Sequence, residues 1–331
     1  MSIGWGIVGC GDIANKRVAP AINEQPDSEL IAFFSNTPER AEEMREAHGA
    51  RRAYCKLADI LGDEEIGAIY VASPVHRHRD ETIAAAQAGK HVLCEKPMAL
   101  SVDDGRRMIE ACERAGVHLS IAYYRRFYPK ARKMKELLEH GAIGTPVFAR
   151  VSIGGWVDLP PEHPKHWRTV LSRAGGGALM DVGSHRLDVI CHLLGEPAEV
   201  CGFADHVGRD DMEVPDTESL LCRMACGAHL HCVSYWGMRE SSDEMEIWGT
   251  EGRLIATAFD GETLTLHRGA ETEQFRVPCH PTNVHFPLID DFARALAEGR
   301  APEFDGHDAM QAQRIIEGCY GTSTSGRVVP A

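Results

Sequence analysis

The chain has 331 residues, of which 44% are apolar and 25% charged, and its formal net charge is −14. This length predicts about two domains, and the composition is typical of a globular protein that buries sizeable cores. The negative charge argues against a nucleic-acid or anionic-membrane partner, so we expect neither.

The eleven cysteines include no Cys-x-x-Cys pair, which disfavours a disulfide framework or a zinc module. The first residues lack a basic-then-apolar leader, and no apolar run reaches the roughly 18 residues that a membrane-spanning helix needs. We therefore expect a soluble cytoplasmic protein.

Residues 1–122 alternate short apolar runs with helical patterns, which predicts a parallel sheet with crossover helices. The first run leads into a glycine loop, Gly9-Cys10-Gly11-Asp12-Ile13-Ala14, and then into a helix. Gly9 permits a tight turn, Gly11 lets the backbone approach a pyrophosphate, and Ala14 gives a small contact between helix and strand. In this context the loop predicts a dinucleotide site.

The second apolar run, residues 30–34, ends in Ser35-Asn36, and Arg40 follows. A fold that selects the unphosphorylated cofactor usually carries an acid at this strand end. A hydroxyl followed by a guanidinium instead favours a 2′-phosphate, through charge-assisted hydrogen bonds. A solvated surface arginine is the alternative interpretation of Arg40. We predict NADP(H) as the preferred cofactor and keep NAD(H) as the alternative.

The strand at residues 69–72 is followed by Ser73-Pro74 and by two histidines, His76 and His78. No acid or cysteine cluster accompanies these histidines, so we predict no metal site and interpret His78 as a loop residue beside the cofactor. The next strand ends in Glu95-Lys96-Pro97, at the edge where open α/β sheets place their chemistry. After it, Ser101 and two acids predict a helix N-cap.

An aromatic and basic segment, residues 123–128, joins this domain to the rest of the chain. Such a segment either lines a substrate site or anchors the following helix, and both interpretations stay open. From Pro146 onwards, period-two apolar runs predict a mostly antiparallel sheet. We therefore assign residues 1–122 to a nucleotide-binding domain and residues 123–331 to a second, α+β domain.

One helix interrupts those strands, and three glycines, residues 175–177, precede it. Asp181 and His185 lie four residues apart, so they share one face of a helix. The glycines would let the backbone approach a ligand. The alternative is an aspartate that only orients a surface histidine.

Three features together resemble the glucose-fructose oxidoreductase and inositol dehydrogenase (GFO/IDH/MocA) family of nicotinamide-dependent dehydrogenases. They are the glycine loop, the Glu95-Lys96-Pro97 strand end, and the glycines leading to Asp181 and His185. The resemblance implies a Rossmann domain, an open antiparallel-rich sheet domain, and an active site between them. It also implies a cis Lys96–Pro97 bond and a homodimer or homotetramer formed through the second sheet.

The resemblance implies cofactor contacts for residues of both domains. They are Gly9, Gly11, Asp12, Ile13, Ala14, Ser35, Asn36, Arg40, Ser73, Pro74, His78, Glu95, Lys96, Trp167 and Arg168. Within the family, the Ser35 and Arg40 arrangement and the Trp167-Arg168 pair are similar to the NADP-dependent 1,5-anhydrofructose reductase branch. Tyr123 and Tyr124 depart from that branch, and so does His285, which replaces a cofactor-contacting tyrosine. We leave His285 out of the predicted site.

The expected reaction is hydride transfer between NADP(H) and a secondary alcohol or ketone carbon of a sugar-like molecule. His185 is the predicted base, because imidazole has an ordinary pKa of about 6.5. Lys96 would polarise the carbonyl oxygen, and Asp181 would orient His185 or accept a substrate hydroxyl. Tyr123 and Arg125 are the further predicted substrate contacts.

Three alternatives stay open at this point. The first is an enzyme that never releases its cofactor, acting as a redox-assisted glycosidase or by coupling two sugars. The second is a dihydrodiol or aldose dehydrogenase, with the same machinery and a different substrate. The third is a non-catalytic, nucleotide-sensing regulator, which would not need Lys96 and His185.

Overall fold

The computed structural model describes residues 2–278 and 282–325, and the backbone of residues 329–330. In this part of the chain, no helix is both long and apolar enough to cross a membrane. The chain divides into two compact units, the first being Met1–Tyr124 with Pro281–Met310 and the second Arg125–His280 with Gln311–Ala331.

This division differs from the predicted domain boundaries, which placed all of residues 123–331 in the second domain. The segment Pro281–Met310 returns to the first unit. The physical reason is packing: Phe292 is fully buried, and its ring centroid lies 5.6 Å from that of Trp5 in the first strand. The Ser120 hydroxyl also donates to the carbonyl oxygen of Phe304 at 2.7 Å.

The described part of the first unit contains six strands and their connecting helices. The strands are β1 (Ile3–Val8), β2 (Ser28–Phe34), β3 (Arg52–Tyr54), β4 (Ala68–Val71), β5 (His91–Cys94) and β6 (Leu119–Ile121). The helices are α1 (Ala19–Glu24), α2 (Pro38–His48), α3 (Leu57–Leu61), α4 (His78–Gln87), α5 (Val102–Ala115) and α9 (Phe286–Glu298). A π-helical turn, Ala14–Val18, precedes α1, and the predicted cap of α5 is confirmed because Ser101 Oγ accepts the Asp104 N–H at 3.1 Å.

The six strands form one parallel sheet in the order β3-β2-β1-β4-β5-β6. All four residues of β4 are fully buried, as expected for a strand covered by helices on both faces. The predicted doubly wound Rossmann sheet is confirmed. Chain order reverses between β1 and β4, and ligands of such sheets bind outside the strand ends at this reversal.

The second unit is built on a larger sheet. Its strands are β7 (Pro146–Gly154), β8 (Pro197–Asp205), β9 (Thr217–Met224), β10 (His229–Tyr235), β11 (Ser242–Gly249), β12 (Arg253–Ala256), β13 (Thr263–Arg268), β14 (Glu271–Arg276) and β15 (Val329–Pro330). Its helices are α6 (Pro129–Glu139), α7 (Leu171–Ala174) and α8 (Ser184–Leu194), followed by the later part of α10 (Gly306–Ser325).

The strands of the second unit lie in the order β14-β13-β12-β11-β7-β10-β9-β8-β15. Among the described pairs only β7 and β10 run parallel. Burial alternates along β9, where Leu220 and Cys222 are buried while Leu221 is 54% exposed. One face of the sheet is therefore a core face and the other is open, which confirms the predicted open antiparallel sheet.

Candidate active site

The glycine loop after β1 is shaped by two glycines with different surroundings. Gly9 has φ of +104°, and a Cβ there would lie 2.9 Å from backbone atoms of Ala72 and Ser73. A Cβ on Gly11 would meet nothing within 4 Å. Gly9 is therefore required by the turn itself, whereas the backbone at Gly11 stays open to an approaching ligand.

A helical segment starts at Asp12, directly after this loop. Ala14 is fully buried where the segment packs on the sheet, while Asp12 is exposed and forms an ion pair with Lys16 at 3.7 Å. Free backbone N–H groups at a helix start attract phosphate. The open position at Gly11 and this helix start fit the pyrophosphate of a dinucleotide.

The end of β2 presents polar groups and no acid. Ser35 Oγ accepts the Thr37 N–H at 3.1 Å, and Asn36 and Arg40 are exposed. Burial raises the pKa of the Cys10 thiol to about 11, and the positive charge of Arg40 opposes this rise. The Arg40 guanidinium therefore acts electrostatically on the glycine loop. This combination fits a phosphate on the adenosine ribose.

The loop after β4 is tied to the Lys96–Pro97 segment by a buried histidine. His78 is 1% exposed, with Nδ1 3.0 Å from the Pro97 carbonyl oxygen and Nε2 2.9 Å from that of Ser73. Burial lowers its pKa, so the ring is neutral and its single N–H donates to one carbonyl at a time. His78 thus joins two loops that both carry predicted cofactor residues.

At the end of β5, the Glu95 carboxylate is enclosed by protein donors. Its Oε1 accepts from the Tyr70 hydroxyl at 2.8 Å and from His285 Nε2 at 3.0 Å, and its Oε2 accepts the Lys96 N–H at 3.2 Å. Burial raises the pKa of Glu95, but His285, Lys96 and Tyr70 together lower it by more than burial raises it. The pKa therefore lies below its ordinary value, and the carboxyl group is ionised. Glu95 therefore fixes the backbone of Lys96.

Lys96 itself is partly exposed, and the Lys96–Pro97 bond is cis, which confirms that prediction. Pro97 is buried beneath it. The end of β5 thus carries the Lys96 amine on a backbone that the hydrogen bond to Glu95 holds in place. This geometry suits a cation that must meet a small molecule in a fixed position.

His285 is the residue that the sequence interpretation missed. It is fully buried, it bonds Glu95, and its ring centroid lies 4.6 Å from that of Tyr124. His285 and Glu95 are 190 residues apart in the sequence, so no local sequence pattern reveals the contact between them. The one usable signal was the resemblance to the 1,5-anhydrofructose reductase branch, which implies a cofactor-contacting tyrosine at this position and which the histidine obscured.

In the second unit, the structure brings two predicted residues together. Arg168 Nη1 donates to Asp181 Oδ2 at 3.1 Å, and the Arg168 guanidinium carbon lies 5.7 Å from the centre of the Trp167 ring. Asp181 belongs to a π-helical turn, Leu179–Gly183, and α8 with His185 follows directly. Such turns are frequent at functional sites.

The glycines before this turn serve a purpose different from the predicted approach to a ligand. A Cβ on Gly176 would lie 2.1 Å from the Tyr320 hydroxyl, and a Cβ on Gly177 would lie 2.6 Å from Glu218 Oε1. Protein side chains already occupy the space beside these two glycines. Their small size is therefore needed for packing within the unit.

The aromatic and basic segment shows anchoring contacts. Arg125 donates to both carboxylate oxygens of Asp260, at 3.0 and 2.6 Å, and Arg126 donates to both of Asp188, at 2.8 and 2.7 Å. Burial raises the pKa of Asp260, but Arg125 and Arg186 outweigh it and bring the pKa to about 2. Tyr123, the other predicted substrate contact, is 3% exposed. Both arginines thus fasten the start of the second unit.

Metal ligands do not gather in the described ranges, where no group of three or more His, Cys, Asp or Glu side chains is placed to hold an ion. The titratable groups near the two predicted sites instead make ion pairs and hydrogen bonds.

Comparisons with known proteins agree with this architecture. A model of the GFO/IDH/MocA oxidoreductase family, NAD-binding Rossmann fold, matches residues 3–123, and a model of the GFO/IDH/MocA C-terminal domain matches residues 131–255. The chain is 32% identical over 311 residues to 1,5-anhydro-D-fructose reductase of Ensifer adhaerens, with 92% of each chain covered.

Two further relatives span the whole length. D-xylose 1-dehydrogenase (NADP(+)) 2 of Haloferax volcanii is 28% identical over 333 residues, with 98% of each chain covered. The crystal structure of aldose-aldose oxidoreductase from Caulobacter crescentus, complexed with glycerol, is 30% identical and matches with a TM-score of 0.90 over 100% of both chains. The chain therefore belongs to the GFO/IDH/MocA family and is an NAD(P)-dependent oxidoreductase that acts on CH–OH groups.

Proposed function

We propose that the enzyme moves a hydride between NADP(H) and a secondary alcohol or ketone carbon of a sugar or sugar-like polyol. The observation that carries this proposal is the end of β5, where a buried, ionised Glu95 fixes the backbone of Lys96. The substrate class follows the relatives, because the reductase of Ensifer adhaerens and the dehydrogenase of Haloferax volcanii are both named for sugars.

The cofactor contacts in the first unit are the glycine loop and the polar end of β2. The open backbone at Gly11 suits the pyrophosphate, and Ser35 with Arg40 suits the 2′-phosphate of NADP. When bound, the nicotinamide supplies or accepts the hydride. Trp167 and Arg168 complete the proposed set of cofactor residues.

Two side chains of this chain handle the proton and the charge on the substrate oxygen. The Lys96 ammonium stabilises negative charge on that oxygen and so favours hydride transfer to the carbonyl carbon. His185 takes the hydroxyl proton when the alcohol is oxidised and returns it when the ketone is reduced. Asp181, held by Arg168, orients the substrate or the imidazole. Tyr123 and Arg125 stay in the proposal as substrate contacts predicted from the sequence alone.

The test is a panel of sugars, anhydrosugars, polyols and dihydrodiols, assayed at the nicotinamide absorbance with each cofactor. On an identified substrate, Lys96→Ala and His185→Ala should each lower kcat by about 10²–10⁴-fold, the usual cost of losing an acid or base. Lys90→Ala is a matched lysine control, since Lys90 is bound to the carbonyl oxygens of Asp63 and Ile66. Near-full turnover in both active-site variants would refute the mechanism.

A second candidate is transfer between two sugars with a cofactor that stays bound. The relative from Caulobacter crescentus is named an aldose-aldose oxidoreductase and is 30% identical over the whole chain. Nucleotide retained through purification, together with turnover of a sugar pair without net NADPH formation, would favour this candidate. Nucleotide lost on dialysis and stoichiometric NADPH formation would favour the first.

The exposed face of the second sheet is the proposed contact with a second copy of the chain. Phe203 and Leu221 are 70% and 54% exposed there, and Arg150 pairs with Glu244 and Glu246, so the face carries apolar groups and both charges. A two-fold interface brings the same patch of both copies together, and a patch with apolar groups and both charges supports that proposal. Light scattering should give a dimer or tetramer for the wild type and a smaller species for Leu221→Glu.

A further inference from the structure

A buried acid and a half-buried tyrosine meet the backbone that leads into the π-helical turn. Glu218 on β9 is 1% exposed, and its Oε1 accepts the Tyr320 hydroxyl at 3.2 Å and the Leu179 N–H at 3.3 Å. The Tyr320 oxygen in turn accepts the Gly177 N–H at 3.2 Å. The backbone N–H groups of Gly177 and Leu179 are thereby bonded to the side chains of Tyr320 and Glu218.

These contacts lie immediately before two residues of the proposed site. Leu179 is the first residue of the π-helical turn that carries Asp181, and the turn continues directly into α8, which carries His185. Gly176 and Gly177 lie so close to Tyr320 and Glu218 that neither can carry a side chain without displacement. The acid and the tyrosine therefore define where the turn begins.

The surroundings of Glu218 favour its neutral form. Burial raises the pKa of Glu218 to about 8 and the negative charge of Asp216 adds to this rise, although the hydrogen bonds from Leu179, Tyr320 and Ser234 oppose it. In the described part of the chain, Tyr320 and Cys319 of α10 and Cys232 of β10 also act on Glu218, and none of these three is a cation. Its Oε2 lies 3.2 Å from Ser234 Oγ, which donates a hydrogen bond to the ionised acid and accepts one from the neutral acid.

From this geometry we propose that Glu218 and Tyr320 are positioning residues for Asp181 and His185. The inference rests on the proposed function of those two residues. In its neutral form Glu218 accepts from the backbone at one oxygen and donates to Ser234 from the other. Ionisation buries a negative charge near Asp216, and the cost of holding this charge in the core favours local opening at the start of the turn.

The first experiment follows kcat and KM from pH 6 to pH 10 in Glu218→Gln, Glu218→Ala and Tyr320→Phe. Glu218→Ala should lower kcat by about 10–100-fold at pH 7, because a displacement of about 1 Å in a catalytic group can cost about 10². Glu218→Gln keeps the shape of the neutral acid, so it should restore most of that loss. It should also lose the wild-type decline in kcat near pH 8.

Tyr320→Phe keeps the ring and removes only the hydroxyl, so it should fold and lower kcat less than Glu218→Ala does. The Kd for NADPH, measured by fluorescence, should stay unchanged in all three variants. The proposal is overturned if Glu218→Ala keeps wild-type kcat, or if Glu218→Gln keeps the alkaline decline.

A second readout does not depend on turnover. Hydrogen exchange at pH 7 should show faster exchange of amides 177–185 in Glu218→Ala than in the wild type, and near-wild-type exchange in Glu218→Gln. Equal protection in all three proteins would overturn the positioning role. Faster exchange in a protein whose Lys96→Ala and His185→Ala variants keep full activity would instead support the anchor and refute the proposed catalytic roles.

Thermal unfolding adds a test of the buried proton. The folded-state pKa of about 8 lies above the ordinary value of 4.5, so between these values the folded protein holds a proton that the unfolded chain has lost. Wild-type stability should therefore fall relative to Glu218→Gln as pH rises through this window and then level off. A constant difference in Tm between the two proteins would contradict the neutral acid.

Discussion

His285 donates its Nε2–H to Glu95 Oε1 at 3.0 Å, and the Glu95 carboxylate also receives the backbone N–H of Lys96. The direction of the first bond follows from charge: Glu95 is ionised and can only accept, so the ring proton must be on Nε2. A residue from the returning segment 281–310 thus supports the backbone of the proposed catalytic lysine.

Replacing His285 by alanine should lower the free energy of unfolding by at least about 1–3 kcal/mol, the usual cost when a buried group loses its hydrogen-bond partner. His285→Gln retains an N–H donor and should recover part of the loss. Urea titrations at pH 7 measure both changes. A His285→Ala protein as stable as the wild type would show that the bond contributes nothing.

The same pair has a pH signature. The pKa of Glu95 is lower in the folded protein than its ordinary value of 4.5, so its stabilising effect is complete above that pH and is lost as pH falls through the folded-state pKa. Below about pH 4.5, the stability difference between wild type and His285→Ala should therefore shrink. Unfolding curves from pH 3 to pH 7 test this, and a difference that widens in acid would contradict it.

Arg40→Ala should lower the NADP preference by about 10–100-fold, because a hydrogen bond to a charged group contributes about 1.5–3 kcal/mol. The measurement is the ratio of kcat/KM for NADP to that for NAD. Arg45→Ala is the matched control, since Arg45 lies on the same helix and pairs with Glu42. An unchanged ratio in Arg40→Ala would assign Arg40 to the solvated surface.

Gly11→Ala should leave Tm nearly unchanged and weaken NADPH binding by about tenfold or more, equivalent to about 1.4 kcal/mol. The added methyl meets no protein atom within 4 Å, so it would occupy only the space that a ligand needs. Gly9→Ala is the contrasting variant: its φ of +104° and its backbone neighbours at 2.9 Å should lower stability instead. Full NADPH affinity in Gly11→Ala would place the pyrophosphate elsewhere.

The ion pair between Arg126 and Asp188 should behave as a buried one, since its side chains are 3% and 0% exposed. Arg126→Met leaves a carboxylate in the core and should cost about 3–5 kcal/mol of stability. The double variant Arg126→Met/Asp188→Leu removes both charges and should be more stable than Arg126→Met alone. A double-mutant cycle by chemical unfolding measures the coupling, and additive losses would contradict it.

Local signals in the sequence predicted much of the fold. The strand followed by Gly9 and Gly11 predicted the nucleotide loop, and Ser101 predicted the helix cap, because each depends on residues only a few positions apart. Burial of alternate residues in β9 likewise follows from a period of two. The Rossmann and antiparallel sheets were confirmed for this reason.

Contacts between distant segments could not be predicted in the same way. The place of His285 beside Glu95 depends on how the chain returns to the first unit, and a helical pattern does not indicate which sheet it covers. The glycines before Asp181 were correctly singled out, but their neighbours Glu218 and Tyr320 lie on other elements. A single sequence shows that a residue is small, but it does not show which residue packs against it.

The first unit is formed by two separate segments of the chain, and this has a consequence for biosynthesis. A ribosome that has completed Tyr124 has made every strand of the parallel sheet, yet the helix that packs against Trp5 and the histidine that binds Glu95 come more than 150 residues later. Until then Trp5 and Glu95 lack their native packing partners. Aromatic and ionised side chains that are buried in the finished protein are meanwhile exposed to water. We expect the nascent sheet to need chaperone protection during translation, and the finished first unit to form only when synthesis is nearly complete.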